Sequence, residues 1–196
     1  ISGYYGFANA GDEAMLTAII ESLRQVEKNV ELTVLSGNPE DTAAKHQVCS
    51  VYRFNPLGII RAMKDSELII SGGGSLLQDV TSKRSLLYYL SIIGLGKFFG
   101  KKVMLFAQGI GPIRAKWARK LTSLVCNEAD LITVRDSESA AELIEMGVKP
   151  EKITVTADSV LSLNPVTKEC GQYLLQEAGV DLTKPVIGIS VRPWSG

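Results

Sequence analysis

Leu68-Ile-Ile-Ser-Gly-Gly-Gly-Ser75 decides the fold: an apolar run of strand length stops in three glycines and a serine. The same grammar repeats along the chain. Lys102-Val-Met-Leu-Phe-Ala107 is followed by Gln108-Gly-Ile-Gly-Pro112, Leu131-Ile-Thr-Val134 by Arg135-Asp-Ser137, and Ile153-Thr-Val-Thr156 by Ala157-Asp-Ser159. Ile1-Ser2 leads into Gly3-Tyr-Tyr-Gly-Phe-Ala-Asn-Ala-Gly-Asp-Glu13, and residues 30–36 form a further strand candidate. Near-continuous apolar strands, as opposed to alternating ones, are what a parallel sheet covered on both faces requires. Helical patterns over residues 13–26, 85–99, 115–127 and 138–146 separate them. The βαβα order predicts a doubly wound parallel α/β sheet.

Composition narrows the function classes. The 196 residues carry 21 basic and 21 acidic side chains, so no bulk field draws the chain onto nucleic acid, and no nucleic-acid partner is expected. Three cysteines at wide spacing (Cys49, Cys126, Cys170) and a single histidine, His46, argue against a metal site and for a reducing, cytoplasmic compartment. His46 sits in the polar stretch Asp41-Thr-Ala-Ala-Lys-His-Gln47, which reads as a loop, so a histidine-based hydrolase triad is hard to build. Both ends are expected to be cut. Ile1 falls inside a motif, and the strand-like run Val186–Val191 is followed only by Arg192-Pro-Trp-Ser-Gly196. Residues 164–185, with Pro165 and Pro185 around a short helical candidate at 172–178, are the expected linker. The helix at 85–99 is apolar almost all round. It is too short to span a bilayer and is interrupted by Lys97, so a buried helix is expected, with a membrane-resting face as the sharper alternative.

In open α/β sheets ligands bind at the carboxyl ends of the strands, so the glycine-rich loops predict one cleft drawn from five places. Its spacing is neither G-x-G-x-x-G nor G-x-x-x-x-G-K-[ST], which excludes those dinucleotide and phosphate-loop readings. Asn9, Gly11, Asp12 and Glu13 crowd one strand-to-helix turn; Asp12 is either a site carboxylate or the helix cap. Gly72, Gly73, Gly74 and Ser75, read as entering a helix directly, are expected to offer free backbone N–H groups to an anion or sugar hydroxyl, with Gln78 close behind. Gln108 and Gly109 are expected to bring backbone close to a ligand. Arg135 is placed either for bidentate recognition of an anion or for an internal pair with an aspartate. Asp158 reads as a cap or turn residue. Arg114, Lys116, Arg119 and Lys120 around Trp117 form a basic cluster, read as a solvated face or a contact for a diphosphate-lipid.

Four segments in order, Gly3–Ala14, Ser71–Asp79, Ala107–Pro112 and Val134–Asp136, together resemble the polysaccharide pyruvyl transferase family, in particular its CsaB type. The resemblance covers residues 1–165, and residues 187–194 look like the opening of the family's second domain. It implies a Rossmann-like domain forming the N-terminal half of a GT-B-like two-domain enzyme, with residues 1–165 as the acceptor-side domain and 166–196 as linker and first strand of the next. It further implies transfer of the enolpyruvyl group of phosphoenolpyruvate, a co-substrate in place of any cofactor, onto a sugar as a ketal. In the CsaB type that sugar is N-acetylmannosamine on a lipid-linked cell wall precursor, later gripped for S-layer anchoring. Such an enzyme works at the inner face of the membrane, with peripheral membrane contact and homo-oligomers expected. By the same resemblance Asp12 and Arg135 are the catalytic residues. The family's histidine and phosphate-binding residues lie in the second domain, so no turnover is expected from this chain alone. A GT-B nucleotide-sugar glycosyltransferase and a non-catalytic glycan-binding module are the alternatives.

Overall fold

The structure, a computed structural model, describes residues 1–189. Strands β1 (Thr33–Ser36) and β2 (Cys49–Tyr52) pair in parallel, as do β3 (Leu68–Gly72), β4 (Lys102–Gln108), β5 (Leu131–Val134) and β6 (Ile153–Val155) in that order. Ser2 joins the two groups by parallel bridges to Leu35 on one side and Ser71 on the other. Its N–H donates to the Ile70 carbonyl at 2.8 Å, while the Leu35 N–H donates to the Ile1 carbonyl at 2.9 Å. The resulting order is β2-β1-Ser2-β3-β4-β5-β6. From Ser2 the chain steps outward through β1 and β2, then returns to the far side at β3. The gap between Ser2 and β3 is therefore the topological switch point, where such sheets open a crevice at their carboxyl ends.

Helices cover both faces, as the doubly wound reading requires. Consecutive residues of a strand point to opposite faces. Val34 packs with Leu16 and Ile20 of α1 (Ala10–Val26), while Leu35 joins a larger cluster with residues of α3 (Pro56–Asp65), α4 (Lys83–Phe98), α5 (Lys116–Glu128) and α6 (Ser137–Glu145). The apolar α4 is buried through Leu86, Tyr89, Leu90, Ile92, Ile93 and Gly96. Gly96 permits that closeness, since a Cβ there would lie 3.0 Å from Val103 and 3.1 Å from Ile69. Among the described residues no helix is long and apolar enough to cross a membrane.

Two sequence expectations need correction. His46 is not in a loop: it is the last residue of α2 (Pro39–His46) and is buried. No helix starts directly after Ser75, because α4 begins only at Lys83, capped by Ser82. The sequence reading also passed over α2, β2 and α3 altogether. The chain divides into two units at 163/164. The second unit carries α7 (Lys168–Glu177), capped by Thr167 and without a buried residue. Of the strand expected at 186–191, residues 186–189 are exposed and form no strand, and the rest, with its extension to Trp194, lies outside the described residues.

Candidate functional site

The loop from Gly3 to Asn9 leaves the switch point and turns into α1. Gly6 (φ +77°) is obligatory there, because a Cβ would meet the Ser36 hydroxyl at 2.1 Å and the Asn38 nitrogen at 2.5 Å. Its N–H donates to Glu13 Oε1 at 2.8 Å, which pins the loop back onto the first turn of α1. The other oxygen of Glu13 stands 3.8 Å from His46 Nε2. Burial lowers the His46 pKa, and the Glu13 carboxylate opposes that shift without cancelling it. The cap of α1 is Asn9, whose Oδ1 accepts from the N–H groups of Gly11 and Asp12. Asp12 is thus not the cap; it lies in the first turn of a helix already capped by Asn9.

The three glycines do something other than the sequence suggested. Their N–H groups are engaged: Gly72 donates to the Ser2 carbonyl, Gly73 to the Phe106 carbonyl and Gly74 to the Met15 sulfur. No open row of donors remains for an anion. What the glycines provide is a seat for α1. Cβ atoms at Gly72, Gly73 and Gly74 would fall 2.8 Å from Ile19 Cδ1, 3.1 Å from Met15 Cβ and 3.0 Å from Asp12 Oδ1. Gly73 and Gly74 also hold φ of +57° and +72°, which a side chain resists. The bare backbone lets the first turns of α1 settle onto the end of β3, and that places the Asp12 carboxylate against Gly74. Tyr5, buried beside it and donating to the Gly72 carbonyl at 3.0 Å, has its pKa raised by burial first and by Asp12 second.

Next to this seat the remaining loops converge. Gly109 N–H donates to the Gly74 carbonyl at 3.0 Å. The Arg135 guanidinium lies over Gly109, where a Cβ would come within 2.7 Å of it. Arg135 reaches Ser75 Oγ at 3.1 Å, Asp136 at 3.3 Å and Asp158 at 3.5 Å. The internal-pair reading of Arg135 is therefore realised twice over, and the same side chain also ties β5 to the glycine loop. Asp136 caps α6 through the Ser139 N–H at 2.7 Å; hydrogen bonds from Ser139 first, and then Arg135, hold its carboxyl below the usual range. Asp158 caps the short 3-10 turn that follows β6.

Two predicted binding residues are engaged within the fold. Gln108 is fully buried, with its amide donating to Ser71 Oγ at 2.8 Å, so it braces β3 against β4. Gln78 closes a local turn with Thr81. Of the basic cluster, Arg119 is engaged by Glu142 at 2.7 Å and Glu145 at 3.2 Å, joining α5 to α6. Arg114 lines an open cavity of about 370 Å³ with Asp79, Val80, Lys83 and Ala115. Asp79 accepts from the N–H groups of Arg114 and Ala115 there; burial pushes its pKa up, but these bonds and the neighbouring cations outweigh it and the net shift is downward.

Sequence reasoning missed Arg53, a buried guanidinium among four aromatic rings at the end of β2. Its partners are scattered over residues 7 to 89, so no local pattern announces it. Two alanines also carry the backbone strain of this edge: Ala8 (φ +56°), in the Gly3–Asn9 loop, and Ala107 (φ +48°), just before Gly109.

Comparison with known proteins gives the same fold and adds a family. The Anabaena protein Alr3699/HepE in complex with UDP and glucose superposes with a TM-score of 0.57 at 12% identity, over 91% of this chain and 49% of that one. Its complexes with UDP-glucose and with UDP give 0.56 at 12% and 0.57 at 11%. This chain spans about half the length of those structures, and at such identity the likeness concerns the fold alone. A search of curated proteins found no match. A family model, by contrast, matches residues 9–188, from the cap of α1 through the loops that follow β3, β4, β5 and β6. The chain belongs to the polysaccharide pyruvyl transferase family.

Proposed function

We propose that this chain forms the acceptor side of a pyruvyl transferase that moves the enolpyruvyl group of phosphoenolpyruvate onto a sugar as a ketal, with loss of phosphate. Family membership supports the transferase class, and one observation carries the assignment of the site. Asp12 is held against the bare backbone of Gly74, beside the Ser75–Arg135 contact, at the switch point of the sheet. Ketal formation needs a base for two sugar hydroxyls and an acid for the enol methylene. Asp12 serves as the base, taking the hydroxyl proton as oxygen attacks C2 of the enolpyruvyl unit. Arg135 orients the acceptor, with Ser75 and Asn9 as hydroxyl partners, while Gly72, Gly73 and Gly109 act from beneath by seating α1 and Arg135. The acid and the phosphate-binding groups come from a second domain in a GT-B-like arrangement. On this reading the acceptor is N-acetylmannosamine of a lipid-linked cell wall precursor, as in the CsaB type, presented at the cytoplasmic face of a membrane, and the product serves S-layer anchoring.

The test is phosphate release from phosphoenolpyruvate with an N-acetylmannosamine-containing lipid-linked acceptor, using the chain joined to its second domain. Release should depend on the acceptor and vanish in Asp12→Ala, and the 196-residue chain alone should release none. A well-folded two-domain protein that stays silent and binds UDP would move the reading to a nucleotide-sugar glycosyltransferase, the one alternative with a fold likeness behind it.

A further inference from the structure

Six of the eleven phenylalanines and tyrosines meet at the carboxyl end of β1 and β2 around one cation. Arg53 follows β2 directly, is 5% exposed, and holds its guanidinium carbon 4.4 Å from the ring centre of Tyr88, 5.1 Å from Phe54, 5.4 Å from Phe7 and 5.5 Å from Tyr89. Both terminal nitrogens reach the Tyr89 hydroxyl at 3.4 Å, and Nε has no partner. Ring faces and a phenol oxygen line its guanidinium. Arg119 and Arg135, both more exposed, have two acids each. A buried cation is costly without an anion, and ring faces replace one only in part.

The rings have a second peculiarity. A purely structural aromatic cluster would bury them, yet Phe54 is 61% exposed, Phe7 42% and Tyr52 48%. Tyr4 stacks on Phe7 at 4.3 Å and is itself exposed. Tyr4 and Phe7 stand on the same loop that leads into Asp12. Exposed ring faces bind the apolar faces of flat or cyclic ligands. A positive charge beneath them, acting through low-dielectric material, favours a ligand that brings a negative one.

We propose that Arg53 with Tyr4, Phe7, Tyr52 and Phe54 forms a second subsite, which takes a sugar residue carrying an anionic group, phosphate or carboxylate. That the ligand is a saccharide rests on the reading of the Asp12 cleft as an acceptor site; the charge preference and the stacking rest on the corner itself. The subsite makes the acceptor a charged, extended glycan in place of a lone neutral sugar.

Calorimetric titration of the full chain tests this with charged probes and their neutral counterparts. These are tetragalacturonate against its methyl ester, and mannose 6-phosphate against mannose, which separate carboxylate from phosphate. At least one charged probe should bind about tenfold tighter than its neutral counterpart. Arg53→Met should erase that advantage, and Phe54→Ala, which removes a mostly exposed ring, should weaken charged and neutral probes alike by severalfold. Asp12→Ala should leave both effects in place. Equal binding of charged and neutral probes, indifference to Phe54→Ala, or loss of the charge preference in Asp12→Ala would each overturn the proposal. Should Arg53→Met not fold, the Phe54 variant and the neutral counterparts still decide it. Binding that persists while phosphate release fails would refute the transferase reading and leave this subsite standing.

Discussion

Exchanging two glycines for alanine separates the seat from ordinary helix propensity. Gly74 has φ +72° and Asp12 Oδ1 3.0 Å from the position of a Cβ, whereas Gly94 lies inside α4 with nothing within 4 Å. For Gly74→Ala the left-handed conformation costs about 1–2 kcal/mol. The stiffer unfolded chain returns about 0.4–1 kcal/mol. The net loss is about 1 kcal/mol, or about 2–4 °C in Tm for a chain of this size. The new methyl also pushes the Asp12 carboxylate by a few tenths of an ångström, which should lower acceptor-dependent phosphate release severalfold, given that a 1 Å misplacement can cost about 100-fold. Gly94→Ala should do the reverse: it removes a mid-helix glycine worth about 0.5–1 kcal/mol and raises Tm with activity unchanged. Thermal unfolding by circular dichroism reads the stability arm, and phosphate release from the two-domain protein reads the other. A Gly74→Ala protein as stable as its parent, or destabilisation of the same size in Gly94→Ala, would refute the argument that the glycine loop exists to seat α1.

Thiol labelling of the native chain should modify Cys49 and Cys170, which are exposed, and spare Cys126, whose thiol burial pushes up to about 12; all three should react once the chain is unfolded. His46 is disfavoured as a cation in the fold, so the unfolded chain takes up its proton first. Stability should therefore fall as pH drops below about 6.5, and His46→Gln should flatten that slope in denaturant melts between pH 7 and 5. Asp130 works in a separate window. Bonds from Lys97 first, then the Val103 N–H, hold its carboxyl well below the usual range, so its contribution is present above about pH 4 and is lost on acidification. Asp130→Asn should cost about 1 kcal/mol or less at pH 7, since the pairs are near the surface, and progressively less as the pH falls below about 4.

The parallel sheet was legible because β3 and β4 are buried for most of their length, and burial on two faces writes itself as an apolar run. β2 is an edge strand whose residues 49–52 are half exposed, so no run appears there. α2 buries only Thr42 and His46, which leaves no apolar stripe. Yet the starts of α2 and α3 are written identically, as Asn38-Pro39 and Asn55-Pro56, with the asparagine capping and the proline at the first turn. Loop positions of the site were legible for the same reason as the strands they follow. The direction of their groups was not. Three consecutive glycines announce a close approach, but whether backbone donors or a helix occupies the space depends on Met15 and Ile19, some sixty residues away in sequence. Arg53 is the extreme case, since its environment is assembled from three segments far apart in sequence.

The two left-handed alanines bear on how a ligand is met. At both positions a glycine would sit without strain. Alanine costs the folded chain about 1–2 kcal/mol at each; at Ala8, in the Gly3–Asn9 loop, it also denies the loop most of its alternative conformations, whereas Ala107 is already fixed as part of β4. On the acceptor-site reading, a glycan arriving here finds this loop already set, and little of its binding energy is consumed in freezing it. Stiffness of this kind favours selection among similar sugars over accommodation of many, because a loop that cannot yield turns a small misfit into a large loss of affinity.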